Sequence, residues 1–144
     1  MQHVEVKRAI AAPKQAVWDL YTDHVSWERW SRIGKVRLER QGTPPPNGVG
    51  CVRVISKGGV SVHEEVLSFE PPRAMTYRVV RGGIPIKDHF GEVLFTDLGN
   101  ETLVTWRCRF NSRIPGLGFA FRKLVERIFS DTLASLAAYR FERR

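Results

Sequence analysis

Three carboxylates in the middle of the chain could do acid–base chemistry if their strands turn them toward an apolar interior. Glu64 alternates with Val60, Val62 and Val66, and alternate residues of a strand face the same side. We therefore predict that Glu64 points inward, where a carboxylate shielded from water could act as a general acid or base. A one-residue slip in register would turn Glu65 inward instead, and a salt bridge would give Glu64 a purely structural role.

The other two carboxylates, Asp88 and Glu92, lie in a later strand whose alternation has two solutions. Phe90 favours the one that turns Asp88 and Glu92 inward, whereas Val93 favours the one that turns His89 inward. Neighbouring strand residues face opposite sides, so Asp88 and His89 cannot work together without a bulge. Both solutions stay open, and Asp88 and Glu92 are kept as candidate ligand contacts.

Two further strands supply candidate partners for these groups. Tyr77 has the parity of an inward residue and offers a hydroxyl in an apolar wall, although packing alone accounts for it equally well. The same parity carries Arg81 to the rim, where it could hold a carboxylate or stabilise an enolate oxygen, or simply be a solvated loop charge. Trp106 belongs to the inward set of the run 102–110, and we predict that it forms a cavity wall.

The sequence contains no motif typical of other kinds of catalytic or cofactor site. There is no nucleophile triad and no phosphate-binding loop, and the four histidines lack the spacing of metal ligands: His3, His24, His63 and His89. Cys51 and Cys108 lack CxxC spacing and are predicted to be buried free thiols. We therefore expect neither a metal nor a cofactor.

The elements that position these residues follow from the hydrophobic periodicity. Gly- and Pro-rich links separate strand-like runs and predict antiparallel neighbours; with the first strand near 4–10, the runs are 36–40, 49–55, 60–69, 74–80, 86–95 and 102–110. Pro13 begins a short helix, and a second one carries Trp27 and Trp30 three residues apart. These tryptophans are predicted to plug one end of the core, with ligand stacking as the alternative.

The chain ends in a predicted helix almost thirty residues long that begins at Pro115. Its apolar residues recur at threes and fours, so one face should cover the sheet. Phe121 and Val125 lie on that face and are predicted ligand contacts. The apolar run 114–119 at the start of this predicted helix could insert at a membrane surface.

Composition and charge limit the classes of function. With 42% hydrophobic and 26% charged residues, the chain has ordinary globular values, and a single domain covering 1–144 is expected. We expect a cytoplasmic protein, since no segment resembles a signal peptide or a membrane span. The net charge of +8 favours anionic partners. Its lysines and arginines are scattered, so nucleic acid is not expected, whereas weak association with an anionic membrane stays an alternative.

The order of these features resembles one family. The residues that carry the resemblance run along the whole chain: Ala12-Pro13 with Val17-Trp18 and Asp23, Trp27 and Trp30, Glu70-Pro71-Pro72-Arg73, Gly99-Asn100-Glu101-Thr102 with Val104 and Trp106, and the final helix. They resemble the polyketide cyclase/dehydrase branch of the START-like SRPBCC superfamily, which is related to the birch-pollen allergen.

That resemblance implies an α+β helix-grip fold, in which a curved seven-stranded antiparallel sheet wraps a long C-terminal helix and two short helices follow the first strand. It also implies binding of a small hydrophobic ligand, similar to a lipid, a sterol or a polyketide, in an internal cavity. One alternative is a cofactor-independent cyclase or dehydratase that uses an inward carboxylate as acid or base. The other is lipid exchange at membrane surfaces.

Overall fold

A computed structural model describes residues 1–141 and contains seven strands and a long C-terminal helix. The predicted domain, 1–144, extends beyond them, and its last residues lie outside the described range. The strands are β1 Gln2–Ile10, β2 Lys35–Arg40, β3 Val52–Lys57, β4 Val60–Glu70, β5 Ala74–Gly82, β6 Ile86–Asp97 and β7 Thr102–Ser112. All form one antiparallel sheet in the order β1-β7-β6-β5-β4-β3-β2. The predicted helix-grip fold is confirmed.

Two short helices, α1 Lys14–Thr22 and α2 Trp27–Trp30, connect the two edge strands, with a 3₁₀ turn between them at His24–Ser26. Pro13 precedes α1 with φ of −63°, the value that its ring imposes and that a helix start requires. Trp27 is fully buried, and its indole Nε1 donates to the Tyr21 carbonyl at 2.7 Å. This aromatic plug closes one end of the core, as predicted.

The long helix α3, Gly118–Ala138, begins later than the sequence predicts. Pro115 does not start it: the segment after β7 turns instead, and Gly116 at φ +83° takes a conformation that no helix contains. The helix therefore has 21 residues rather than almost thirty.

The two halves of α3 are buried to different extents. The second half packs tightly through its buried residues Phe129, Thr132, Leu133 and Leu136. Phe129 stacks on Trp106 of β7, with the two ring centroids 4.0 Å apart. In the first half, Leu124 and Ile128 remain 42% and 38% exposed although they point toward the sheet side. The helix thus covers the sheet without filling the space beneath its middle.

Candidate functional site

A cavity of about 470 Å³ lies between the sheet and the middle of α3. Its walls are mainly aliphatic and aromatic: Trp27, Ile33, Ile55, Val62, Val79, Ile84, Ile86, Trp106, Phe110, Leu124, Val125, Ile128 and Phe129. Other lining residues are exposed and mark where the cavity meets solvent, among them Arg32, Lys57, Val60 and Asp131. An apolar pocket of this size with few polar groups is the usual form of a small-molecule site.

The structure brings four of the eight predicted contact residues to this cavity and places the other four elsewhere. The lining residues are Glu64, Tyr77, Trp106 and Val125, and those outside the wall are Arg81, Asp88, Glu92 and Phe121. Phe121 lies one helical turn before Val125 and packs, half-buried, against the core cluster. Whether the four lining residues bind a ligand stays a prediction.

Arg81 is turned away from the cavity by a bulge in β5. His63 pairs with Arg81, but Glu64 pairs with Val79, so one residue of β5 has no opposite number on β4. Such an extra residue reverses the faces of everything beyond it. The guanidinium of Arg81 consequently lies on the outer face and pairs with the carboxylate of Glu39, which corrects its predicted place at the inner rim.

Glu92 lies on the outer face because β6 takes the second of the two parities that its sequence allows. Val93 and Phe95 are buried, whereas Glu92 pairs with Arg107 of β7, whose Nε lies 2.7 Å from Oε1. The prediction that Glu92 points inward is therefore corrected.

Asp88 is also outside the cavity, next to a second bulge. Its backbone has φ of +55°, and its carboxylate accepts from Asn111 Nδ2 at 3.0 Å on the surface. The β6–β7 register shifts between Lys87 and Phe90, so the strand makes room here for one extra residue. Asp88 thus faces outward with the parity of Glu92, and His89, the alternative candidate, lies in the cavity wall.

His89 occupies a gap in the sheet. The β5–β6 ladder ends where Tyr77 pairs with Gly91, so the backbone N–H of Val79 donates instead to His89 Nδ1 at 3.0 Å. Nδ1 must then be the acceptor, and the ring proton belongs to Nε2. Burial lowers the pKa of His89 and keeps the ring neutral.

Tyr77 is held by contacts to β6 and β7. Its hydroxyl accepts from Trp106 Nε1 at 2.7 Å, and its ring occupies the space above Gly91, where a Cβ would lie only 2.4 Å from ring carbon Cζ. Burial raises the pKa of Tyr77 well above its ordinary value. The residue is therefore a neutral, rigid part of the wall.

Behind this wall lies a charged residue that is not among those predicted from the sequence. Arg53 is fully buried. Its Nε donates to Glu64 Oε1 at 2.9 Å and its Nη1 lies 3.1 Å from His24 Nδ1. The guanidinium carbon is 4.5 Å from the Trp27 ring centroid and 4.7 Å from that of Tyr77. Only the strand register reveals the pairing, since Arg53 stands opposite Glu64 across β3 and β4.

The charges of this network are fixed by its surroundings. Burial disfavours a charged Arg53, but Glu64, with smaller contributions from Tyr21 and Tyr77, raises the pKa of the guanidinium. Burial and the Arg53 charge together lower the pKa of His24. A neutral His24 donates from Nε2 to the Asn47 carbonyl at 3.2 Å and accepts from Arg53 at Nδ1. The charged pair is thus Arg53 with Glu64.

Two other kinds of site have no counterpart within residues 1–141. No helix there combines the length and the apolar character needed to cross a bilayer. In the same residues, no group of three or more His, Cys, Asp or Glu side chains could hold a metal ion.

Comparison with known sequences assigns this chain to one family. Residues 1–140 match the family model described as polyketide cyclase / dehydrase and lipid transport. No curated protein matches the chain.

Solved structures share the fold at low sequence identity. The XoxI protein from Bacillus cereus is 19% identical with a TM-score of 0.80, over 96% of this chain and 94% of that one. A protein from Thermobifida fusca is 21% identical with a TM-score of 0.81, over 95% and 91% of the two chains. A START superfamily protein from Mycobacterium smegmatis is 13% identical with a TM-score of 0.81, over 94% of each chain.

Proposed function

This chain belongs to the polyketide cyclase/dehydrase and lipid transport family, and from that premise we propose that it binds a small hydrophobic molecule in the cavity beneath α3. The family resemblance drawn from the sequence is thereby confirmed. The observation that carries the proposal is the cavity of about 470 Å³ with its mainly apolar wall. Small-molecule pockets commonly measure about 300–1,000 Å³, so a lipid-, sterol- or polyketide-like ligand is of suitable size and character.

The packing around the cavity supports a site that is preformed. Trp27 and Trp106 are buried and lie with their ring centroids 5.9 Å apart, and the stacking of Trp106 on Phe129 fixes the helix above them. An apolar ligand that enters such a site displaces water from apolar walls without reorganising them.

Binding of N-phenyl-1-naphthylamine, a neutral fluorescent apolar probe, tests the proposal. We expect the purified protein to enhance its fluorescence saturably, and native mass spectrometry to detect a copurified apolar ligand. Val125→Trp, in the wall, should abolish most of the enhancement by filling the cavity. Val80→Trp is the matched control, because Val80 is 39% exposed and does not line this cavity. Equal binding by both variants would contradict the proposal.

The alternative of a cyclase or dehydratase now depends on Glu64 alone among the predicted carboxylates, because Asp88 and Glu92 do not line the cavity. Glu64 is already bound to Arg53 through Oε1, so one oxygen of this carboxylate is occupied by the protein itself. We therefore place binding first, and the enzymatic alternative stays a prediction from the sequence.

Lipid exchange at membranes is a second candidate, and an exposed apolar segment favours it. Ile114, Leu117 and Phe119 are exposed at the start of α3. Basic residues accompany them: Lys123 Nζ and the Arg122 guanidinium carbon lie 5.5 Å and 4.9 Å from the Phe119 ring centroid. Apolar side chains flanked by cations suit an anionic bilayer surface.

Cosedimentation with vesicles tests this candidate. We expect binding to phosphatidylglycerol vesicles at low salt, weaker binding at high salt, and little to phosphatidylcholine alone. Phe119→Ser should reduce it, whereas Leu98→Ser should not, since Leu98 is a similarly exposed residue in the loop between β6 and β7. Absence of binding to anionic vesicles at low salt would remove the candidate.

A further inference from the structure

Three consecutive strands of the sheet, β4 to β6, bring Glu64, Tyr77 and His89 to the cavity wall. Glu64 on β4 stands opposite Val79 on β5, and His89 on β6 accepts the backbone N–H of that same Val79. Glu64 and His89 therefore flank one residue, and both line the cavity. Strands two apart in a sheet are separated by about 10 Å, a span that a small polar group between two side chains can bridge.

Glu64 offers this wall a hydrogen-bond acceptor. Its Oε1 accepts from Arg53, whereas its Oε2 has no protein hydrogen-bond partner in the described part of the chain. An ionised carboxylate can only accept. The guanidinium of Arg53 lies between the rings of Trp27 and Tyr77 and is not part of the cavity lining. A ligand therefore meets the carboxylate, with the arginine hidden behind it.

His89 offers a hydrogen-bond donor. Because Nδ1 accepts from the Val79 N–H, the proton lies on Nε2, which has no hydrogen-bond acceptor among residues 1–141. The tautomer is thus set by the backbone, and no proton has to move before a ligand binds.

The other polar groups near Glu64 and His89 are neutral, whereas the other charged lining residues are exposed where the cavity meets solvent. The Tyr77 oxygen already accepts from Trp106. Burial raises the pKa of the Cys108 thiol to about 12, so it carries no charge near neutral pH. The enclosed part of the wall consequently presents one anion and one neutral donor.

We infer that this wall binds the polar end of a neutral ligand that carries a hydroxyl beside a carbonyl-type oxygen, with the hydroxyl donating to Glu64 and the carbonyl oxygen accepting from His89 Nε2. The inference rests on the proposed function and specifies the ligand's chemistry. A carboxylate at this end is disfavoured, because two anions would face each other in an apolar enclosure.

A series of naphthalenes tests the inference on the unmodified protein, with dissociation constants from tryptophan fluorescence near neutral pH. Naphthalene measures the apolar cavity, 2-naphthol adds a donor, 2-acetonaphthone adds an acceptor, and 2-naphthoate adds an anion. We expect 2-naphthol to bind roughly tenfold more tightly than 2-naphthoate, as one hydrogen bond to a charged group allows. We also expect 2-acetonaphthone to bind more tightly than naphthalene.

The outcomes separate this inference from the proposed function. If 2-naphthoate binds as tightly as 2-naphthol while naphthalene also binds, the inference is wrong and cavity binding stands. If no member of the series binds, both fail.

Variants assign the two contacts. His89→Leu should remove the preference for 2-acetonaphthone over naphthalene and keep that for 2-naphthol, and unchanged naphthalene affinity shows that the cavity is intact. Glu64→Gln should relax the discrimination against 2-naphthoate, with Glu92→Gln on the outer face as its matched control. A Glu64→Gln variant that folds, binds naphthalene and still discriminates as the unmodified protein does would overturn the role of Glu64.

Discussion

Two of the arginine–glutamate pairs that join neighbouring strands of the sheet differ chiefly in burial. Inside, Arg53 Nε lies 2.9 Å from Glu64 Oε1; outside, Arg107 Nε lies 2.7 Å from Glu92 Oε1. The side chain of Arg53 is fully buried, whereas that of Arg107 is 46% exposed. Nearly the same geometry therefore has different consequences. Without Glu64, the guanidinium of Arg53 would have no water to solvate its charge, whereas water can replace Glu92 around the guanidinium of Arg107.

The largest expected difference follows from removing one acid from each pair. Glu64→Ala should lower the free energy of unfolding by about 3–5 kcal/mol, because it leaves the Arg53 charge buried and uncompensated. Glu92→Ala should cost at most about 1 kcal/mol, because water can solvate Arg107. Urea denaturation of both variants measures the two losses. Losses of equal size would show that burial does not distinguish the pairs.

Replacing the whole inner pair separates the cost of a broken pair from the value of an intact one. Arg53→Met combined with Glu64→Leu leaves no buried charge, so we expect it to recover most of the loss caused by Glu64→Ala. His24 loses its contact to Arg53 Nη1 in this variant, which limits the recovery. A double variant as unstable as Glu64→Ala would mean that the pair itself stabilises the fold.

The inner pair also makes stability depend on pH through His24. Burial and Arg53 lower the pKa of His24 from its ordinary 6.5. Below about pH 6.5, His24 is therefore protonated in the unfolded chain but stays neutral in the folded protein. The contribution of His24 to the free energy of unfolding is therefore fully present above pH 6.5. It declines as the pH falls further, by about 1.4 kcal/mol per pH unit for one such histidine. The pKa of His89 is lowered in the same direction.

Unfolding measured at several pH values between neutral and mildly acidic checks this slope. His24→Gln can still accept from Arg53 and donate to the Asn47 carbonyl, and it should make the decline shallower by about one proton's contribution. His3→Gln, on the exposed β1 edge, is the control. A slope unchanged by His24→Gln would contradict a neutral His24 in the folded state.

The sequence predicts the position of a side chain only where the alternation of its strand is regular. Regular alternation places the residues of β7 correctly: Val104, Trp106 and Phe110 are buried as expected. A bulge adds one residue and reverses the alternation, and no residue type announces it, so Arg81 lies on the surface. Asp88 lies there for another reason: β6 takes the parity that turns His89 inward, a choice that the sequence leaves open.

Arg53 escapes prediction for a different reason. Its inward position becomes reasonable only once Glu64 is known to stand opposite it, and that register is a property of two strands together. Periodicity within one strand therefore predicts the fold and the aromatic walls, whereas the charged groups behind the walls depend on pairing between strands.

The smallest expected effect separates the two pairs by their response to salt. A double-mutant cycle on Arg107 and Glu92 should give a coupling of about 0.2–1 kcal/mol at low salt that disappears near 1 M, where the Debye length is about 3 Å. The coupling between Arg53 and Glu64 should hardly change with salt concentration, because dissolved ions cannot enter the space between the fully buried guanidinium and the carboxylate that it contacts. Inner coupling that declines with salt as the outer one does would mean that solvent reaches Arg53, and the description of Glu64 as the only charge that a ligand meets in the enclosed part of the wall would fail with it.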